Sequence, residues 1–162
     1  MDATRTQKIT KSKFLAEIQS CFPAYTFTRG NQFSWDPNTK TITYSVKSEG
    51  TELFMYRIFH EIGHANLMHK EFKHDLELVK IEREAWVEAK EIANTFSIDI
   101  PDENIESSID SYRDWLYARS LCPNCQQCGI QTSETSYSCV FCKQNWKVSA
   151  SRMCRVSRRK IN

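Results

Sequence analysis

The sequence predicts an α+β fold that ends in a small cysteine-rich module, and three patterns support this prediction. Apolar residues recur at helical spacing in four segments, and the stretch between the first two alternates apolar and polar residues as a strand does. Near Leu121 the helical periodicity stops and the cysteines begin. We therefore expect three parts: a domain over 1–120, a module over 121–150 and a basic tail over 151–162.

Four helices and one hairpin are predicted in the first 120 residues. In chain order they are a helix from Ile9 to Phe22, a β-hairpin from Phe33 to Val46, and helices from Thr51 to about His69, from Asp75 to Phe96 and from Pro101 onward. The hairpin turns at Asp36–Thr39, a cluster of turn-forming residues. Its second arm, Thr41–Val46, could form a sheet edge that a substrate peptide joins as an added strand.

Composition places few limits on function. The chain has 162 residues, of which 40% are hydrophobic and 26% charged, as in globular proteins. The net charge of +2 gives no global argument for nucleic acid. Between Lys143 and Lys160, however, there are seven Lys or Arg and no acid. Such a segment is either a solvated tail or a surface for an anionic partner, so nucleic acid is a candidate partner of the module and tail.

The expected compartment decides how the cysteines are interpreted. The N-terminal residues contain charges but no apolar leader segment, and no apolar run approaches the length of a membrane span. We therefore expect a cytoplasmic protein with no membrane partner. In a reducing compartment a C-x-x-C pair is more often a metal site than a disulfide.

The segment His60-Glu61-Ile62-Gly63-His64 matches the pattern H-E-x-x-H. Residues i and i+4 lie on one helix face, so both imidazoles can reach one metal ion. Zinc at such a site activates a water molecule by lowering its pKa to about 7 and also polarises a carbonyl group. Glu61 would then act as general base and pass the proton to the leaving amine. The motif predicts a zinc metallopeptidase, a hydrolase with Glu61 as its catalytic residue.

A catalytic zinc ion needs a third protein ligand, and Glu84 is the best candidate. Glu84 lies twenty residues after His64, which leaves room for a turn and an antiparallel return helix. It borders Ile81 and Ala85 on the stripe expected to face the core, where a lone carboxylate is unfavourable unless it is paired or bound to metal.

Three other residues could be considered for the same role. Glu88 lies one helical turn beyond Glu84, and His74 lies in the expected turn between the helices; both stay open. His69 is discounted, because five residues after His64 it falls on a different face if the helix continues.

The segments HEIGHANLMH and EREAWVEAKEIANTF together resemble the ImmA/IrrE metallopeptidases over roughly residues 40–98. In that family an HExGH helix is followed by an E-x-E-A helix whose second Glu completes the zinc site. The resemblance implies a zincin-like domain with His60, His64 and Glu84 as zinc ligands and Glu61 as base. It also implies a protein substrate, which could be a DNA-bound regulator, because known members cleave transcriptional repressors.

The chain departs from that family at two points, and two alternatives follow. Trp86 stands where the family usually has Asn or Asp, and the C-terminal cysteine module is not a usual part of those peptidases. A SprT/Spartan-type protease also joins an HExxH helix to a zinc-binding module and works at DNA; its third ligand is a His, so His74 would replace Glu84. A different class is a non-catalytic adaptor, in which the module and tail bind nucleic acid or protein.

The module contains two C-x-x-C pairs separated by thirteen residues, Cys122–Cys125 and Cys139–Cys142. This spacing is typical of a zinc ribbon, in which two tight turns each offer two thiolates to one structural zinc ion. Cys128 forms a further C-x-x-C with Cys125 and could replace Cys122. The intervening GIQTSETSYS predicts a strand–turn–strand, and a further strand is predicted around Trp146. We therefore expect two zinc ions per chain, one catalytic and one structural.

Overall fold

The computed structural model describes residues 13–152 and 154–161 and contains α-helices and two small β-sheets, which confirms the α+β class. These residues form two compact units. The first comprises 13–70 and 81–105, and the second comprises 71–80, 106–152 and 154–161. The second unit therefore contains helical residues that precede position 121, where the composition changes. The start of the first predicted helix, residues 9–12, lies outside the described residues.

The helices and strands follow the predicted order, with two additional strands. They are α1 (Phe14–Cys21), β1 (Thr26–Gly30), β2 (Ser34–Asp36), β3 (Thr41–Ser45), a 3₁₀ turn (Val46–Ser48), α2 (Glu52–Asn66), α3 (Asp75–Thr95), α4 (Asp102–Ser120), β4 (Ile130–Ser133), β5 (Ser136–Ser138), β6 (Asn145–Val148) and β7 (Arg158–Ile161). The additional strands are β1 and β7. Within the described ranges, no helix has the length and apolar character needed to span a membrane.

The first sheet has the strand order β1-β3-β2. Strands β2 and β3 pair antiparallel, which confirms the predicted hairpin, and the Asp36 carboxylate shapes its turn by accepting hydrogen bonds from Asn38 N (2.9 Å) and Thr39 Oγ1 (2.8 Å). Strand β1 pairs parallel to β3 on the other side. Because β3 is the central strand, the expectation that Thr41–Val46 forms an edge for a substrate strand is wrong.

Helix α2 packs on β2 and β3 and supplies much of the core of the first unit. It begins at a side-chain cap, where Thr51 Oγ1 accepts a hydrogen bond from Phe54 N (3.1 Å). Phe54 then contacts Phe14 and Tyr44 edge-to-face, with ring centroids 6.3 and 6.0 Å apart. Burial of this aromatic cluster fixes the position of the helix that carries the H-E-x-x-H motif.

Helix α2 ends at Asn66, three residues before the predicted end at His69. Met68 adopts a left-handed conformation with φ of 54°. The amide of Met68 donates to Ala65 O (3.1 Å), and that of His69 donates to His64 O (3.0 Å). These two bonds form a Schellman closure, in which the chain folds back over the last helical turn. As a result His69 returns towards His64.

The second sheet is antiparallel in the order β4-β5-β6-β7. Strands β4 and β5 form the predicted strand–turn–strand, and β6 contains Trp146 as predicted. Tyr137 stacks on Trp146 with ring centroids 5.6 Å apart, and both side chains are buried. Gly129 allows this packing, because a Cβ there would lie 2.3 Å from the Trp146 ring. The last strand, β7, falls within the predicted tail.

A buried ion pair joins helical residues to this sheet within the second unit. Asp75 and Arg119 are both 2% exposed, and the guanidinium donates to the carboxylate through Nε and Nη2. Tyr137 Oη also donates to Asp75, and Arg119 Nη2 donates to Glu134 O (2.9 Å). Trp146 Nε1 donates to Arg119 O (3.0 Å). Because each charge has several partners, the pair can be buried without an uncompensated group.

Candidate metal centres

Three buried side chains of the first unit converge on one point. His60 Nε2 lies 3.1 Å from His64 Nε2 and 3.1 Å from Glu82 Oε2, and His64 Nε2 lies 3.7 Å from the same carboxylate oxygen. The exposed fractions of these three residues are only 8%, 9% and 7%. They form one of the two groups of potential metal ligands found among the described residues.

This triangle of donor atoms fits a tetrahedral metal ion. Three ligand atoms held about 2.0–2.1 Å from such an ion are roughly 3.3–3.4 Å apart. This separation lies between the observed values of 3.1 and 3.7 Å. Hydrogen bonding alone explains the arrangement less well. A proton on His60 Nε2 can be directed at only one of its two close neighbours, Glu82 or His64, and the other contact is then unfavourable.

The protonation states of these ligands also suit a cation. Burial opposes ionisation of Glu82, but the adjacent His60 and His64 imidazoles hold its pKa well below the usual range. Burial lowers the pKa of His60. At neutral pH the site therefore offers a carboxylate and a neutral imidazole, the forms that bind metal ions.

The close contact between α2 and α3 brings Glu82 to the histidines. A Cβ at Gly63 would lie 2.3 Å from the carbonyl oxygen of Ala85, so only glycine allows the two backbones to approach this closely. On α3, Glu82 shares a buried face with Ala85, Trp86 and Ala89, at positions i, i+3, i+4 and i+7. Glu82 is the one acid among these four residues, and its side chain meets the two histidines of α2.

The structure places Glu84 outside the cluster, contrary to the sequence prediction. Glu84 follows Glu82 by two residues, about 200° around the helix, and its side chain is 47% exposed. Neither alternative joins the cluster, since Glu88 accepts a hydrogen bond from Asn66 (2.8 Å) and His74 lies 3.7 Å from Glu77. Glu82 was not predicted from the sequence, although its spacing to Ala85, Trp86 and Ala89 was a usable signal.

Glu84 and His69 instead form a chain of polar contacts that ends at Nδ1 of His64, the ring nitrogen outside the cluster. His69 Nδ1 lies 3.0 Å from His64 Nδ1, and His69 Nε2 lies 3.6 Å from Glu84 Oε2. One set of tautomers fits both contacts: His64 donates from Nδ1, and the Nε2 proton of His69 faces Glu84. That tautomer of His64 leaves the lone pair of its Nε2 directed at the cluster, as a metal ligand requires.

His60 is supported differently. Its ring stacks on Trp86 with centroids 4.3 Å apart and an interplanar angle of 25°. Its Nδ1 is buried and has no hydrogen-bond partner among the described residues. A metal-binding histidine is usually oriented by a hydrogen bond from its other ring nitrogen. Here packing against Trp86, the residue that departs from the ImmA/IrrE pattern, orients the imidazole instead.

Glu61 follows His60 in α2 and is 8% exposed. Burial raises the pKa of Glu61 to about 7, although the nearby His64 opposes this shift. A carboxyl group with a pKa in this range can both accept and release a proton near neutral pH. The residue predicted to act as general base is thus buried beside the cluster of potential metal ligands.

Four cysteines of the second unit form the other group of potential ligands, Cys122, Cys125, Cys139 and Cys142. The Sγ atoms of Cys122 and Cys142 are 3.6 Å apart, and those of Cys125 and Cys139 are 3.5 Å apart. All four sulfurs lie within 4.8 Å of one another. Four thiolates at about 2.3 Å from a tetrahedral ion would be roughly 3.8 Å apart, so the cluster fits such an ion.

The two cysteine turns share one backbone conformation. Cys122 N donates to Gln127 O and Cys139 N donates to Gln144 O, both at 2.9 Å. The fourth residue after each first cysteine, Gln126 or Lys143, is left-handed, with φ of 61° and 63°. Each turn thereby presents two sulfurs to the same point. Of the alternatives left open by the sequence, Cys122 lies in the cluster, whereas Cys128 is exposed and outside it.

Hydrogen bonds favour the thiolate form of Cys142. The backbone amide of Gln144 and the Asn124 side chain lower the pKa of Cys142 to about 6. Backbone amides of its own turn also lower the pKa of Cys139. Because thiolates rather than thiols bind metal ions, these shifts favour cation binding by the second cysteine turn, which contains both residues.

Comparison of the chain with protein-family models, with curated proteins and with solved structures found no match. The fold and the two sites therefore define the protein only by class. It is an α+β protein with a buried two-histidine, one-glutamate cluster and a separate four-cysteine cluster. The resemblance to the ImmA/IrrE peptidases stays a prediction.

Proposed function

We propose that this protein is a zinc-dependent endopeptidase that uses His60, His64 and Glu82 as zinc ligands and Glu61 as general base. The observation that carries the proposal is the convergence of three buried donor atoms at 3.1–3.7 Å beside a buried carboxyl group. We further propose that the four cysteines hold a structural zinc ion.

The two donor sets suit different roles. Two histidines and one glutamate leave a fourth position for a reactant, whereas four thiolates complete a tetrahedral shell. The first set is therefore the catalytic candidate and the second the structural one. Neutral imidazoles with a carboxylate are also the ligands of known hydrolytic zinc sites.

Bound by these ligands, zinc would supply Lewis-acid chemistry by lowering the pKa of water to about 7 and polarising a peptide carbonyl. Glu61 accepts a proton from the attacking water and delivers it to the leaving amine. Glu82 and the two histidines keep fixed positions through burial, the Trp86 stack and the His69 contact. These supports reduce the reorganisation that the reaction requires.

The geometry also bears on the alternatives. A SprT/Spartan-type site would need His74 as third ligand, whereas Glu82 lies with the histidines here. In the ImmA/IrrE pattern the second glutamate of E-x-E-A completes the site, so this chain would use the first one, Glu82, instead. The substrate class stays as the resemblance implies it: a protein, which could be a transcriptional regulator. A non-catalytic adaptor would cleave nothing.

The proposal is tested with the zinc-loaded full chain and a proteome-derived peptide library, incubated in ¹⁸O-enriched water. We expect new carboxyl termini that carry ¹⁸O, detected by mass spectrometry, because hydrolysis incorporates one oxygen atom from water. A strong chelator should remove the activity and added zinc should restore it. If the zinc-loaded and chelated samples give the same termini, the peptidase proposal is wrong.

A separate prediction concerns the contact between His69 and Nδ1 of His64. His69→Ala should lower the zinc affinity of the histidine cluster by roughly 10–100-fold, the usual effect of removing a residue that orients a metal ligand. Competition with a chromogenic chelator measures this affinity. The matched control is His74→Ala, because His74 is half-exposed and pairs with Glu77. Equal affinities for the His69→Ala variant and the unmodified protein would contradict the role given to His69.

A further inference from the structure

The second unit contains a concentrated positive segment that the proposed peptidase function does not use. Seven Lys or Arg and no acidic residue lie between Lys143 and Lys160, although the net charge of the whole chain is only +2. Clustered cations of this kind attract polyanions and release their counterions on binding. The arrangement of the cations on the sheet decides which of them are available.

Two cations stand side by side on one face of the sheet. In the β6–β7 register Lys147 lies directly opposite Arg159, so both side chains project from the same face, and both are exposed. Neither forms an ion pair with an acid of residues 13–152 or 154–161. Like charges directly opposite one another destabilise a strand pair, and an anion bound between them would relieve that repulsion.

Hydrogen-bonding groups lie beside these two cations on β5 and β6. Across β5 and β6, Ser136 lies opposite Lys147 and Ser138 lies opposite Asn145, on the same face. We call these five residues (Ser136, Ser138, Asn145, Lys147 and Arg159) the basic face. Hydroxyl, amide, ammonium and guanidinium groups are the usual partners of phosphate oxygens.

The neighbouring residues of β7 are already engaged. Arg158 Nη1 donates to Leu121 O (3.0 Å), and Lys160 Nζ donates to Asn124 Oδ1 (3.3 Å). They lie on the opposite side of the strand from Arg159 and hold β7 against the first cysteine turn. The basic face is therefore presented on a strand whose position is fixed.

The second cysteine turn adds an exposed aromatic ring. Phe141 is 68% exposed, and Val140 beside it is 46% exposed. Two hydrogen bonds hold the turn, from Lys143 N to Cys139 O (3.1 Å) and from Lys143 Nζ to Val140 O (2.9 Å). An exposed ring on such a turn offers a surface on which an unpaired base can stack.

We propose that the basic face and Phe141 bind single-stranded nucleic acid, with the phosphates at Lys147 and Arg159 and a base against Phe141. A duplex would satisfy the cations but offers no unpaired base for the ring, so the combination favours a single strand. The inference is independent of the peptidase proposal, because it rests on other residues and on binding alone.

The test is fluorescence anisotropy of the zinc-loaded full chain with labelled 20-nucleotide oligo(dT) and oligo(U), which distinguish DNA from RNA. Lys147→Ala/Arg159→Ala should weaken binding at least about 10-fold at low salt. It should also reduce the slope of log affinity against log salt by roughly 1.4, about 0.7 for each phosphate that is no longer neutralised. Phe141→Ala should weaken binding to the single strands by about 5-fold or more.

The matched control is Lys47→Ala/Arg83→Ala, which removes two exposed cations from the first unit. It should bind as the unmodified chain does. Absence of binding by the unmodified chain, or equal weakening by both double variants, would overturn the proposal. Binding to heparin or duplex DNA as tight as to single strands, unchanged by Phe141→Ala, would overturn the assignment to single strands. Zinc content and circular dichroism confirm that each variant is folded.

Discussion

Glu61→Gln should abolish peptide hydrolysis while both metal centres stay filled. Glutamine has nearly the same shape as glutamate, but its amide cannot accept a proton from water. General-base catalysis contributes typically 10²–10⁴-fold, so kcat at a defined cleavage site should fall by about that factor or more. Because Glu61 is not among the three residues that converge in the cluster, zinc content should not change. Quantitative mass spectrometry of one cleavage product measures the rate.

The control for this prediction is Glu91→Gln, which removes an exposed carboxylate from the same unit. It should retain full activity. If the Glu61→Gln protein cleaves at the rate of the unmodified chain, Glu61 is not the base. If the Glu61→Gln variant also replaces the unmodified protein in cells that lack it, with no change in phenotype, the non-catalytic adaptor becomes the better interpretation.

Cys139→Ser should unfold the sheet of the second unit. The buried cluster around this sheet is small, with Cys122, Tyr137, Cys139, Trp146 and Val148. So few apolar residues rarely stabilise a fold alone, and small domains of this kind depend on a metal ion. Structural zinc sites contribute an apparent binding free energy of about 10–16 kcal/mol, and loss of one thiolate removes much of it. Near-ultraviolet circular dichroism and limited proteolysis follow the loss of structure.

The control here is Cys128→Ser, since Cys128 is exposed and lies outside the cluster. It should keep the stability and the zinc content of the unmodified protein. Loss of the sheet in Cys128→Ser, with none in Cys139→Ser, would show that Cys128 rather than Cys139 holds the metal. An unchanged sheet in both variants would mean that no metal supports this unit.

Features set by local sequence were predictable. The two C-x-x-C turns, the H-E-x-x-H helix and the hairpin around Asp36–Thr39 all depend on residues a few positions apart, so spacing and turn chemistry were enough. The parallel pairing of β1 with β3 was not predictable in this way. It joins residues fifteen positions apart, such as Thr26 with Thr41, and carries no turn signal of its own.

The third member of the histidine cluster could not be settled from sequence, because it depends on how α3 is rotated against α2. The contact of Gly63 with Ala85 sets that rotation, and it directs Glu82 rather than Glu84 at the histidines. His69 was discounted because the helix was expected to continue past it. A left-handed Met68, which is unusual for a residue other than glycine, ends the helix and returns His69 to His64.

The central claim is that His60, His64 and Glu82 bind a zinc ion in addition to the four-cysteine site. The most direct test is zinc per chain by elemental analysis, after dialysis against a weak chelator. We predict two zinc ions for the unmodified protein, about one for Glu82→Gln and two for Glu84→Gln. Glu84→Gln is the matched control, because it removes a carboxylate two residues away on the same helix and keeps an amide oxygen that can accept the His69 Nε2 proton. One zinc ion in all three proteins, or loss only in Glu84→Gln, would contradict the claim.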